Sequence, residues 1–124
     1  ALKMNSNLDS GPIYLKKNIN LSGNLSEIFD KISVKIVQMI EVLMKKKLVP
    51  KKQRGKVFYF KRLRNNSEIK YEKNLKSVFD KIRMLDAEEY KNSYIVKNNL
   101  KIVLTKANKK KNYISCNAKI FKIK

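Results

Sequence analysis

Asn24-Leu25-Ser26-Glu27-Ile28-Phe29 opens the longest ordered pattern in the chain, and Ile32, Ile36, Ile40, Leu43 and Met44 continue it. Apolar residues recur at steps of three and four, which is one face of an α-helix. Asn24 is a good N-cap, and Glu27 three residues later completes a capping-box arrangement. The pattern predicts a helix from about Leu25 to Lys46, closed by Lys45-Lys46-Lys47, whose cations complement the negative end of the helix dipole. So long an apolar face must be buried against something large. No partner for it is evident within 124 residues, which implies a further domain.

Upstream, Ser22-Gly23 reads as a turn. Pro12 to Asn20, with Ile13, Leu15 and Ile19, reads as a strand of about eight residues. Before it stands Leu8-Asp9-Ser10-Gly11-Pro12-Ile13. A carboxylate followed by Gly-Pro and an apolar residue is the pattern of a site loop entering a strand. Gly11 is free to take positive φ and Pro12 fixes its own φ, so both are read as shaping the loop and aiming the Asp9 carboxylate. Taken alone, Asp9 is better read as an Asx-turn.

Downstream, Val49 to Gly55 is a linker, Val57-Phe58-Tyr59-Phe60 a short aromatic strand, and Lys61 to Ile69 a basic, turn-rich loop. Asn74 can cap a second helix, from about Leu75 to Met84. Asp86 to Asn92 is irregular. Tyr94 to Val96, Leu100 to Thr105 and Tyr113 to Ile123 alternate with period two and predict a three-stranded antiparallel meander. Those strands could also pair across a two-fold axis to make a homodimer.

Composition narrows the function. The chain has one cysteine, Cys116, and no histidine, so the usual zinc ligand sets are excluded and no metal site is expected. No apolar run approaches a membrane span and no signal peptide is evident, so a cytoplasmic protein off the membrane is expected. The net charge of +20 comes from 30 Lys and Arg against 10 Asp and Glu. A basic RNA-binding module is one reading of it. The reading adopted is compositional: 26 of the 30 are Lys, asparagine is abundant, and Arg, with its planar fork for phosphate, is scarce.

Three segments in order resemble the 10-formyltetrahydrofolate-dependent formyltransferase family. Met4-Asn5-Ser6-Asn7-Leu8-Asp9-Ser10-Gly11-Pro12-Ile13 is similar to the family's M-D-x-x-x-D-x-G-P-I segment. The capped helix with the Pro50…Gln53 linker is the second. Ile82-Arg83-Met84-Leu85-Asp86-Ala87-Glu88-Glu89-Tyr90 resembles its I-R-A/M-L-D-A-x-x-Y segment. The resemblance implies an α+β chain: the end of a Rossmann-like formyltransferase domain (strand plus long amphipathic helix), a linker, a short helix, then a small antiparallel β C-terminal subdomain. The implied divisions are 1–48, 49–73 and 74–124.

The family's site combines an Asn, a His and an Asp, and only the Asp falls in this chain, at Asp9. The resemblance implies a catalytic role for Asp9 and 10-formyltetrahydrofolate as cosubstrate, held mainly by a domain outside these residues. The start at Ala1 and a motif so near it predict a piece of a longer enzyme, inactive alone.

Arg62 and Arg64 are candidate contacts to an anionic substrate. Arg83 is read as an internal tether to Asp80 or Asp86. The acceptor is a small-molecule amine, expected to be a nucleotide-linked amino sugar. The chain lacks the Ile-Asp-Trp of methionyl-tRNA formyltransferases, and few residues follow Tyr90. The tRNA acceptor is the alternative.

Overall fold

The computed structural model of the chain describes residues 1–7, 9–55 and 67–123. The expected aromatic strand Val57–Phe60 and the candidate substrate contacts Arg62 and Arg64 lie outside the described residues. The elements are α1 (Leu25–Lys45), α2 (Leu75–Arg83), β1 (Ser93–Lys97), β2 (Leu100–Lys109) and β3 (Ile114–Lys122). The α+β class and its antiparallel sheet are as the sequence implies. The chain divides into two compact units, Ala1–Leu21 with Phe29–Phe60, and Ser22–Ile28 with Lys61–Lys124.

In the first unit the N-terminal residues form a ribbon. Leu2 bridges Ile13 antiparallel, and Ile13 bridges Lys51 antiparallel on its other side. The Lys3 N–H donates to the Pro12 carbonyl (2.8 Å) and the Tyr14 N–H to the Ala1 carbonyl (2.9 Å). The Ala1 ammonium donates back to the Leu15 carbonyl (2.7 Å).

The expected strand over 12–20 does not form. Ile13 makes bridges, and the chain from Leu15 to Leu21 adopts no strand. Alternation is a local signal, whereas a strand exists only where a neighbour supplies ladder partners. Here Ile13 pairs through isolated bridges, and Lys16-Lys17-Asn18 then breaks the alternation.

Helix α1 starts where the capping chemistry requires. Glu27 N–H donates to Asn24 Oδ1 (2.9 Å) and Asn24 N–H to Glu27 Oε2 (3.0 Å). Gly23, at φ +91°, makes room for this reciprocal pair: a Cβ there would lie 2.0 Å from Glu27 Oε2. Leu25 and Ile28 are buried, whereas Val34, Ile36, Val37, Ile40 and Met44 stay exposed. Phe29, Ile32 and Leu43 are half-buried, so the apolar face is covered only in part among the described residues.

In the second unit Asn74 caps α2, with the Ser77 N–H donating to Asn74 Oδ1 at 2.9 Å. The helix packs on β2 of a sheet in the order β1-β2-β3, antiparallel throughout. Ser93 pairs with Leu104, and Leu104 with Ala118, so these three share a face. Ser93 Oγ donates to the Lys81 carbonyl of α2 (2.8 Å), which identifies that face as the one under the helix. The buried apolar residues of this unit are Ile82, 1% exposed, Leu104 and Ala87, with Leu25 and Ile28 from the start of α1. Burying a side chain the size of Ile82 contributes about 1.5–3 kcal/mol. Ser93 is fully buried and its hydroxyl is satisfied by that helix carbonyl.

Glu72 and Lys81 form an ion pair, and the Lys81 ammonium also donates to the Glu68 carbonyl. Burial pushes the Glu72 carboxyl up. The Lys81 hydrogen bond and charge, with backbone N–H donors including Lys70 (2.8 Å), outweigh that and hold it below its ordinary 4.5.

Between Thr105 and Asn108 β2 carries one residue more than β3 opposite it. Lys106 sits in this bulge at φ +50°, and its N–H donates to Asp86 Oδ2 (2.7 Å). Beyond the bulge β3 is exposed along nearly its whole length.

Candidate catalytic loop

Residues 4–7 and 9–11 belong to the loop that the N-terminal ribbon closes. Asp9 lies on it with an exposed side chain, in the left-handed region at φ +50°. Asp tolerates that conformation better than most residues because its short polar side chain is accommodated locally. Asn5 organises the loop from inside. Its Oδ1 accepts from the Asn7 N–H (3.2 Å) and from Ser10 Oγ (2.9 Å), and Ser10 Oγ also lies 3.1 Å from the Asn7 carbonyl.

Gly11 and Pro12 shape the loop, though Gly11 does so differently from the sequence-based expectation. The left-handed residue is Asp9, and Gly11 does not adopt positive φ. Gly11 is instead buried against the ribbon, where a Cβ would lie 1.6 Å from the Lys3 carbonyl oxygen. Backbone meets backbone there, and only glycine permits it. Pro12 has no N–H to satisfy, and its carbonyl accepts from Lys3.

A residue with no role assigned from sequence completes the loop. Gln53 Nε2 donates to the Asp9 carbonyl and to the Gly11 carbonyl, both at 2.7 Å. It reaches across 44 and 42 residues of sequence. The signal that could have found it is the pairing of Ile13 with Lys51, which brings the Pro50–Gly55 linker beside the loop.

A pocket of about 150 Å³ opens at the loop, with Lys3, Asn5, Asn7 and Asp9 among its walls. It holds a carboxylate, two amides and an ammonium-bearing chain. That set can bind or orient a polar partner. Without an imidazole it lacks the usual neutral-pH acid–base group, because the chain contains no histidine. Among the described residues no group of three His, Cys, Asp or Glu side chains could hold a metal ion. No helix among them is long and apolar enough to cross a membrane.

Arg83 is a tether, as expected: its Nε donates to Asp80 Oδ1 (2.7 Å) and its Nη1 to the Gly23 carbonyl (2.8 Å). Asp86, in the same motif, anchors the Lys106 bulge. Cys116 is free and exposed on β3.

Residues 64–121 match the family model of the methionyl-tRNA formyltransferase C-terminal domain. Among solved structures, methionyl-tRNA formyltransferase from Clostridium thermocellum is similar over 98% of this chain, with 32% identity and a TM-score of 0.90. The chain spans 54% of that protein. No curated protein matches the sequence. Both named matches carry the tRNA acceptor in their description, so the expected leaning toward a nucleotide-linked amino sugar is not supported. That leaning rested on a missing Trp, a short tail and the look of the Lys61-to-Ile69 and Ile82-to-Ala87 segments, and a similarity running over 98% of the chain outweighs these local signals.

Proposed function

We propose that this chain is a C-terminal portion of a formyltransferase and that it serves the transfer of a formyl group from 10-formyltetrahydrofolate to the amine of methionyl-tRNA. The observation carrying this reading is the similarity at 32% identity over 98% of the chain. The match of residues 64–121 to the methionyl-tRNA formyltransferase C-terminal domain supports it further. The charge of +20 then acquires a use, since a polyanionic acceptor is drawn to a basic surface.

In such a transfer a C–N bond forms at the acceptor amine and the C–N bond to the folate breaks. The attacking amine gives up a proton, and the folate nitrogen takes one as it leaves. Developing negative charge on the formyl oxygen needs a donor. A carboxylate beside an imidazole orients it and favours its protonated form. Asp9 is the residue of this chain proposed for that role, with the imidazole supplied from outside these 124 residues. The chain by itself is therefore expected to be inactive.

The test is a formyl-transfer assay on the longer enzyme containing this chain, with 10-formyltetrahydrofolate as donor and either methionyl-tRNA or a nucleotide-linked amino sugar as acceptor. Formylated tRNA is expected. Transfer to the sugar alone would sink the tRNA reading. In the same assay Asp9→Asn should lower turnover by about 100-fold or more while leaving folate binding intact, because it removes the charge and keeps the shape. Unchanged turnover would remove Asp9 from the mechanism.

A further inference from the structure

The geometry points to Gln53 as the positioning residue of the site: its amide holds the backbone on both sides of Ser10 and so aims the Asp9 carboxylate. The inference rests on the reading of Asp9 as catalytic.

Three observations carry it. The first is register. Ile13 exchanges backbone hydrogen bonds with Lys51, at 2.8 and 2.9 Å. In an antiparallel pair, two residues back on one strand lie opposite two residues on along the other. Gln53 therefore lies opposite Gly11, whose carbonyl it reaches. The second is chemistry. Both acceptors are carbonyl oxygens, so the amide must present its NH2 end, and each of its two hydrogens is used once.

The third is leverage. The Asp9 carbonyl fixes the plane of the peptide that follows Asp9. That plane is one of the two that flank the Asp9 Cα, so holding it restrains the bond from which the carboxylate side chain projects. The Gly11 carbonyl is held by the same nitrogen, and Gly11 itself is pressed against the Lys3 carbonyl. The Asp9 backbone is thereby referred to the ribbon through one side chain. Misplacing a reacting group by about 1 Å can cost about 100-fold in rate, so a fixed carboxylate has a kinetic value.

The experiment is steady-state kinetics on the longer formyltransferase carrying Gln53→Met, Gln53→Glu and Gln53→Lys, with Asp9→Asn run beside them and melting temperatures measured for each. Methionine fills the space without a donor. Glutamate keeps the shape and sets a carboxylate against two carbonyls. Lysine has comparable reach and restores donors. Met and Glu should lower kcat by about 10- to 100-fold with KM for donor and acceptor within about twofold, and Lys should recover most of the loss.

A side chain that only ties down the linker would shift melting temperature in all three and would not split kcat from KM. Should Gln53→Met fail to fold, the contrast between the two charged variants still decides. Equal kcat for Gln53→Lys and Gln53→Glu overturns the proposal. Unchanged kcat in Gln53→Met and Gln53→Glu, with a large loss in Asp9→Asn, overturns Gln53 positioning and leaves the Asp9 reading standing. An inert Asp9→Asn overturns both.

Discussion

The loop carrying Asp9 and the sheet packed under α2 are held by different physics. The loop is mostly exposed, and its shape comes from single hydrogen bonds: Gln53 to two carbonyls, Asn5 to Asn7 and Ser10, Lys3 to Pro12. The sheet is organised by buried apolar contact at Ile82 and Leu104, with the fully buried Ser93 satisfied by the helix above it. Apolar contact spreads its energy over many atoms and tolerates small shifts in geometry. A few polar contacts fix direction and contribute little net stability, about 0.5–1.5 kcal/mol each. The loop therefore specifies an orientation, which a catalytic carboxylate needs, and the sheet specifies a stable body.

That contrast can be broken first at the core. Ile82→Ala removes the most buried aliphatic side chain and should destabilise the α2–sheet unit by about 3 kcal/mol, read by chemical denaturation. Amide chemical shifts of residues 1–15 should move little. Large shifts there would mean that the loop depends on the core after all.

Gly11→Ala tests the other side. Its methyl group would collide with the Lys3 carbonyl and should cost about 2–3 kcal/mol where the ribbon closes. Hydrogen exchange at the Lys3 and Tyr14 amides should accelerate, and exchange in β2 should not.

A smaller effect is expected at Glu72, where the α2 unit depends on charge. The folded-state carboxyl titrates below its ordinary 4.5. The unfolded chain thus binds the proton more readily, so the contribution is present above about pH 4.5 and is lost as pH falls through the folded-state value. Glu72→Gln should cost about 1–2 kcal/mol at neutral pH and flatten that acid limb in a denaturation series. An acid limb unchanged by the substitution would assign it to other carboxylates.

The smallest expected change has the opposite sign. Lys106 pays for its left-handed backbone, and Lys106→Gly should relieve that strain and stabilise by a few tenths to about 1 kcal/mol, net of the glycine's added chain entropy. Melting temperature is the readout, and a fall would show that the Lys106 side chain contributes more than its backbone costs.

The sequence made legible what is decided locally. Asn24 with Glu27, and Asn74, carry their capping chemistry within four residues, so both helix starts are readable to the residue. The alternation in the last third gives three strands, and the Asn98-Asn99 turn appears between β1 and β2 with Asn98 in the left-handed region. Asp9 was legible as a candidate only through motif resemblance.

What stayed hidden depends on distant partners. The strand expected over 12–20 does not form, since Ile13 pairs through isolated bridges. The reason for Gly11 lies in Lys3, eight residues away across the ribbon. Gln53 looks like an ordinary linker residue until Lys51 is paired with Ile13. The bulge at Lys106 has no glycine to announce it, since Asp86, 20 residues earlier, supplies the compensating acceptor.

Strand β3 has a consequence of its own for how this protein behaves in company. It lies at the end of the β1-β2-β3 order, so its outer backbone groups face away from the sheet. Such an edge is a template on which another chain can add itself, and here Ile120 and Phe121 stand exposed along it. Lys119 and Lys122 bracket that pair. A second copy seeking the same edge must bring its own lysines alongside, ammonium against ammonium. In that register the facing lysines would oppose self-pairing along the edge.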